Sequence, residues 1–420
     1  MGARPVLSED ASMATEPAQA EVAARRAALA VFAVFALNGF FFASWASRLP
    51  AVRDGLGLTP RELGLLLLVG SAGSLVALPL TGTVVHRFGT RRTTRMAALL
   101  AAVGLACAAL AVAAGNVPLV AGALFFALMG IGAWDVSMNL QGTVVEHGLG
   151  HAIMPRFHAG FSLGAVAGAG VGALAAAAGL PVAGHFLGAV TICALAVWIL
   201  SRMYLPDGAM VAPAHEDGPR TSAHRRALAA WLEPRTVLIG LMVLAAALTE
   251  GSANDWLALS VVDGHGVSDA VGAAAFGLFV ASMTLMRFAG TRLLDRYGRV
   301  PILRLSAGLA LVGLLVFGLA PSLPLAVVAI VLWGFGAALG FPVGMSAASD
   351  DPAHSAARVS VVSSIGYIAF LAGPPLLGML ADHVGYRHAL LVIAIPLLGS
   401  LLLAPVAAPL KPAPDEATNQ

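Results

Sequence analysis

The sequence predicts an all-α polytopic membrane protein, with twelve transmembrane helices in two pseudo-symmetric six-helix bundles. Three observations predict it. Of 420 residues, 59% are hydrophobic and 11% charged, with a mean hydropathy of +0.86. A soluble domain carries about 25% charged residues, so most of this chain cannot face water. The apolar residues gather in runs of about 20, the length of an α-helix that crosses a bilayer. One Gly-punctuated, Arg-rich turn also occurs twice, about half a chain apart. It reads Gly82-Thr-Val-Val-His86-Arg87-Phe-Gly89-Thr-Arg91-Arg92 and then Thr291-Arg-Leu-Leu-Asp295-Arg296-Tyr-Gly298-Arg299. A charge in hydrocarbon costs at least a few kcal/mol, so both turns mark the membrane surface, on the same face of two related halves.

The runs fall at 27–47, 63–85, 96–114, 117–140, 157–178, 182–201, 236–262, 270–291, 301–320, 323–346, 357–380 and 389–409. Their length and lack of period-2 alternation exclude β-barrel strands. The longest polar break divides them six and six. The expected organisation is a disordered cytoplasmic tail over 1–24, a bundle over 25–202, a cytoplasmic loop over 203–234, a second bundle over 235–409 and a tail over 410–420. Residues 1–22 lack the apolar core of a cleavable signal peptide. Tight breaks such as Gly115-Asn116 and Gly179-Leu180-Pro181 suit helical hairpins.

Orientation follows from the arginines. With the N-terminus inside, every Arg and the single Lys411 lies on the inner side, except Arg48, Arg53, Arg61 and Arg387 outside and Arg287 within a helix. An even number of spans then puts both termini in the cytoplasm. The arginines cluster at helix ends, which speaks for a lipid bilayer and against nucleic acid. Cys107 and Cys193 fall inside apolar runs and read as small buried hydrophobes.

The repeat extends beyond the turn. Gly172-x6-Gly179 recurs as Gly378-x6-Gly385, and Asn38-Gly39 with Ser44-Trp45 is echoed by Glu250-Gly251 with Asn254-Asp255-Trp256. Twelve spans split six plus six, a central loop, and a basic turn after the second and eighth spans together resemble the major facilitator superfamily, over about residues 25–410. In that family the turn latches the inward face, so the resemblance implies gating roles for Arg87, Arg91, Asp295, Arg296 and Arg299. The first turn departs from the family by carrying His86 at the acidic position, which implies a weaker or pH-dependent first latch. A third echo, Gly378-Met-Leu-Ala-Asp382-His-Val-Gly385-Tyr-Arg387, follows the eleventh run. Gly132-Ala-Trp-Asp135-Val-Ser-Met-Asn139 and Glu250-Gly-Ser-Ala-Asn-Asp255-Trp256 resemble a bacterial inner-membrane branch similar to the fucose-permease-like sugar:proton symporters. That resemblance implies a multi-pass protein of the bacterial plasma membrane.

Four charged residues lie well inside the runs: Asp135, Glu250, Asp255 and Arg287. Ionisable groups there are functional candidates by default, with a structural ion pair as the plain alternative. Glu250 lies roughly 21 Å along its helix at 1.5 Å per residue, within a core about 30 Å thick. A desolvated carboxyl binds a proton more readily, so Glu250 is the first candidate for proton coupling. Asn254, one turn on, shares its face and is a candidate substrate ligand. Asp135 and Asn139 form a second i, i+4 pair. Asp135 is a second proton site or the partner of an interfacial arginine, Arg87 or Arg156, and Asn139 a substrate ligand. Arg287 fits packing or gating, and Asp255, near the outer end, fits contact with water. Asn38, a candidate substrate ligand, shares a face with Trp45, and Trp45 and Trp256 are candidate platforms for a sugar ring or members of an interfacial aromatic belt. Gly160, Gly164, Gly168 and Gly172 are spaced for close helix packing.

Other chemistry is thin. Glu146-His147-x3-His151 is interrupted by Gly148 and Gly150, so it does not read as a zinc site. Gly334-Phe-Gly336 lies inside an apolar run, and no Walker lysine motif occurs. No cofactor, metal or catalytic residue is expected. The expected function is a secondary active transporter that moves a small, sugar-like solute by alternating access around a central site. Protons are its coupling ion, the lipid bilayer its surroundings, and a monomer its state. Proton-driven efflux of amphipathic compounds is the alternative within the same fold. A polytopic membrane enzyme such as an acyltransferase is the alternative of another class.

Overall fold

The computed structural model describes residues 9–151, 153–207, 229–351 and 354–410. Eleven helices among them are long and apolar enough to cross a membrane. One, Pro60–Ala113, has 54 residues and a non-helical Gly89 inside it, so it supplies two crossings at about 20 residues each. The total is twelve.

The first helix, α1, runs Glu9–Ala46. It begins inside the stretch expected as a disordered tail, so residues 9–24 are helical. Ala and Glu are strong helix formers, and Glu21 pairs with Arg25 one turn on at 2.5 Å. A short helix, α2 (Leu49–Leu56), occupies part of what reads as a loop. Then come α3 (Pro60–Ala113), α4 (Val117–Leu149), α5 (Met154–Ala177) and α6 (Val182–Leu200). Most of the central loop, residues 208–228, and the tail from Lys411 onward lie outside the described residues.

The chain resumes with α7 (Pro234–His265), α8 (Asp269–Tyr297) and α9 (Arg299–Leu319). The tenth run, expected as one helix, is broken into α10 (Leu323–Ala337) and α11 (Gly340–Ala348). The last two runs form α12 (Ser355–Val384), then α13 (Tyr386–Leu390) and α14 (Ala394–Leu403). Cys193 is buried as expected, whereas Cys107 is exposed on α3, where a small apolar side chain can face lipid as well as a core.

By their contacts the described residues form two compact units that do not follow chain order. The first takes those within 1–44, 72–168 and 183–214, and the second those within 45–71, 169–182 and 215–420. In the first, α1 and α5 touch backbone to backbone. A Cβ on Gly164 would lie 1.8 Å from the Ala36 carbonyl oxygen, and one on Gly39 would lie 2.0 Å from that of Phe161. In lipid, apolar side chains gain little by leaving their surroundings, so such close packing is what joins helices. In the second unit α9 and α10 meet the same way, at Gly313 against Trp333 and Gly336 against Ala310.

Candidate functional site

The second unit holds an ion pair within its membrane-spanning helices. Arg287 of α8 donates from Nη2 to Glu250 Oε2 of α7 at 3.0 Å. The same guanidinium donates from Nε to the Ala338 carbonyl at 3.3 Å. That carbonyl lies at the break between α10 and α11. A helix end leaves carbonyls without intrahelical partners, and unpaired polar groups are costly in hydrocarbon, so the arginine satisfies what the break exposes. Both side chains keep some exposure, 32% for Arg287 and 23% for Glu250. The charges that read as separate candidates are thus joined.

Asn254 and Asp255 are each partly exposed on α7. Trp256 is buried to 1%, and its ring lies 5.6 Å from that of Tyr386. Its face is covered by protein in this arrangement. The i, i+5 and i+6 offsets from Glu250 turn Asp255 and Trp256 away from the ion pair at 3.6 residues per turn.

In the first unit, Asn139 Nδ2 donates to the Asp135 carbonyl at 2.9 Å and to its carboxylate at 3.3 Å. Neither Arg87 nor Arg156 pairs with Asp135 among the described residues. Asn38 is buried to 2%. Glu146, from the metal-like run, accepts the Ile153 and Met154 amides at 2.7 and 2.8 Å. It thereby caps the start of α5, a favourable place for a carboxylate.

The basic turns are shorter than the sequence reads, because helix continues to Phe88 before the first and to Tyr297 before the second. Gly89 has φ 79° and ψ 163°, and Gly298 has φ 77° and ψ 170°, a region essentially reserved for glycine. After Gly89, Asp207 accepts the Thr90 amide at 3.0 Å and lies 2.6 Å from its hydroxyl. Arg91 donates to the Tyr204 carbonyl at 2.7 Å. Arg87 stacks on its neighbour Phe88, 5.6 Å from the ring centre.

After Gly298, Arg299 pairs with Asp350 at 2.6 Å, and Arg235, at the start of α7, reaches the other oxygen of Asp350 at 2.9 Å. Arg296 lies over the Tyr297 ring. Asp295 makes no ion pair among the described residues. Close by in the same unit, Arg358 forks onto Glu233 at 2.6 and 3.3 Å. The Arg358 hydrogen bonds hold the Glu233 carboxyl below the usual carboxylate range. They outweigh its burial, and Thr236 helps.

The profile described as Major Facilitator Superfamily matches residues 28–366 and again 239–420. The chain belongs to the major facilitator superfamily. It is 35% identical over 380 residues to the uncharacterized transporter y4wD of Sinorhizobium fredii, covering 90% of this chain and 97% of that one. Among solved structures it resembles the nucleoside transporter NupG at 14% identity and TM-score 0.69, over 91% of this chain and 98% of that one. It also resembles the transporter FucP in the outward conformation at 17% identity and TM-score 0.61, over 90% and 98%. The protein is therefore a membrane-spanning transporter and not an enzyme.

For this transporter, sequence reasoning missed Asp207, Glu233, Asp350 and Arg358. Their one signal was position: charged residues at the ends of apolar runs, on the face the arginines occupy. Nothing local says which partner each would meet.

Proposed function

We propose that this transporter is a secondary active one. It carries a small polar, sugar-like solute across a bacterial plasma membrane by alternating access, coupled to protons. In this reading it is a monomer of six plus six spans with both termini in the cytoplasm. The observation that carries the proposal is the Glu250–Arg287 pair, shared with the carbonyl freed at Ala338.

A carboxylate and a guanidinium in a medium of low dielectric attract strongly. Adding a proton to Glu250 removes its charge and most of that attraction. Arg287 then keeps only its carbonyl bond, and α7 can move against α8 and the α10–α11 break. A group whose two protonation states favour two arrangements is what coupling requires, because a ligand shifts an equilibrium only by its differential affinity for the two states. Asp135, held by Asn139, is the second proton site of this reading. Asn254 and Asn139 are the solute's hydrogen-bonding partners, with Asn38 and Trp256 reached only in another state. Arg87, Arg91, Asp295, Arg296 and Arg299 gate the cytoplasmic face. Solved neighbours include a nucleoside transporter and proton symporters of fucose and xylose, which favours a hydroxyl-rich solute.

The test uses proteoliposomes and a panel of sugars. A transported sugar is expected to carry protons with it. Glu250→Gln is expected to reduce that proton movement to the level of empty vesicles while solute counterflow continues. Proton movement unchanged in Glu250→Gln assigns the pair to structure and refutes the coupling role.

A further inference from the structure

Residues 45–71 come early in the chain, yet they pack in one compact unit with 169–182 and the C-terminal half. Two polar contacts fasten them there, both at the arginine-poor end of the spans. In the first, Arg53 of α2 forks onto Asp263 of α7, Nη1 to Oδ2 at 2.5 Å and Nη2 to Oδ1 at 3.0 Å. A bidentate arginine–carboxylate pair is among the stronger polar contacts. Its guanidinium also lies over the Tyr386 ring, 5.5 Å from the centre, and donates to neighbouring Asp54 at 2.7 Å. Only 12% of the Arg53 side chain is exposed, against 40% for Asp263. Tyr386 in turn leans on buried Trp256, so the contact reaches along α7 toward Asp255.

The second contact completes a helix cap. Thr59 and Glu62 form a capping box at the start of α3: Glu62 accepts the Thr59 amide at 2.9 Å and donates its own amide to the Thr59 hydroxyl at 3.2 Å. Pro60 has no amide proton. The remaining early donor, the Arg61 amide, goes to Asp382 Oδ1 of α12 at 3.1 Å. Glycines allow that approach, since a Cβ on Gly378 would lie 2.5 Å from the Pro60 carbonyl oxygen and one on Gly64 would lie 2.6 Å from that of Pro374. Asp382 is the acidic residue of the third echo, and Gly385 in that echo has φ 78° and ψ 159°, nearly the conformation of Gly89 and Gly298.

We propose that the Arg53–Asp263 fork and the Asp382 cap on α3 together form the outer latch of the transport cycle. The latch rests on the alternating-access reading, in which the outer ends of early and late spans must part. Both contacts are reversible and made of groups that water can take over, so they hold while packed and release without leaving an unpaired charge in lipid.

The experiment places one reporter, Val52→Cys, in a chain whose Cys107 and Cys193 are replaced by alanine. Val52 is fully buried beside Arg53. Labelling by a membrane-impermeant maleimide added outside cells reports when α2 lifts. Arg53→Ala, Asp263→Asn and Asp382→Ala are each expected to raise the labelling rate by roughly tenfold, the change about 1.4 kcal/mol produces. Asp382→Asn, whose amide oxygen still accepts from Arg61, is expected to raise it less. The exchange Arg53→Asp with Asp263→Arg keeps both charges and is expected to return the rate toward the parent. Unchanged rates in the single variants, or an exchange that labels as fast as Arg53→Ala, overturn the latch. The assay needs no solute. Labelling as expected beside proton movement unchanged in Glu250→Gln refutes the coupling role and supports the latch, while transport with unaltered labelling refutes the latch alone.

Discussion

Gly89 and Gly298 turn the chain through nearly the same backbone conformation, at matching places in the two halves, yet they are fastened by unlike partners. At Gly89 the partners come from just beyond α6, where Asp207 caps Thr90 and the Tyr204 carbonyl receives Arg91. At Gly298 a single carboxylate, Asp350, lies between Arg299 and Arg235. Neither His86 nor Asp295, the residues at the acidic position of the two turns, does this work. Carboxylates from unrepeated segments hold both turns instead. The duplicated sequence therefore preserves the path of the backbone, and each half fastens it differently: the first turn by an amide on Asp207 and an arginine on a carbonyl, the second by two arginines on Asp350.

Substituting the two glycines separates path from fastening, with the largest effect expected at Gly89. A methyl group there would lie 2.1 Å from Asp207 Oδ2, so Gly89→Ala adds displacement of the cap to backbone strain. A cost above about 3 kcal/mol is expected. Gly298→Ala meets nothing within 4 Å, so it carries strain alone, about 2 kcal/mol. Thermal unfolding of the purified protein, followed by tryptophan fluorescence, compares them, and equal losses would remove Asp207 from the account of the first turn.

The fastenings rank next. Asp350→Ala takes the carboxylate from two guanidiniums and leaves them only uncharged acceptors, the Val406, Ala347 and Ala408 carbonyls for Arg235 and the Ser346 hydroxyl for Arg299. The two arginines remain 27% and 25% exposed, so water recovers part of the lost energy and a loss of about 2 kcal/mol is expected. Asp207→Ala removes one helix cap, for about 1 kcal/mol, and Asp207→Asn loses less because its oxygen still accepts from Thr90. If Asp207→Ala proves the costlier in denaturant titrations, the order of the two turns is reversed.

The smallest effect is at Glu233. Its carboxyl is held low by Arg358, so the folded state favours the ionised form. The stability this adds is fully present above the ordinary glutamate value near 4.5 and is lost as pH falls through the lowered folded value. Glu233→Gln is expected to cost well under about 1 kcal/mol at neutral pH, and the difference from the parent is expected to vanish in acid. A gap that widens on acidification contradicts the sign.

Much of the fold was legible because crossing a bilayer is a local demand. About 20 apolar residues either sit together in the chain or they do not. The arginines mark surface for the same reason, and Gly89 and Gly298 announce turns because few other residues take that conformation. The α10–α11 break was hidden, since its residues are as apolar as their neighbours. The helical start at Glu9 was hidden too, because polar Ala/Glu-rich sequence suits a tail or a helix equally.

The partners of the charges were decided only by the tertiary structure. Glu250 and Arg287 are 37 residues apart, Arg53 and Asp263 210, and Arg61 and Asp382 321. Hydropathy says that each charge needs a partner or water. Which partner it meets depends on how helices far apart in sequence come to lie within hydrogen-bonding reach, and that is set by glycine contacts and a broken helix spread across the whole chain.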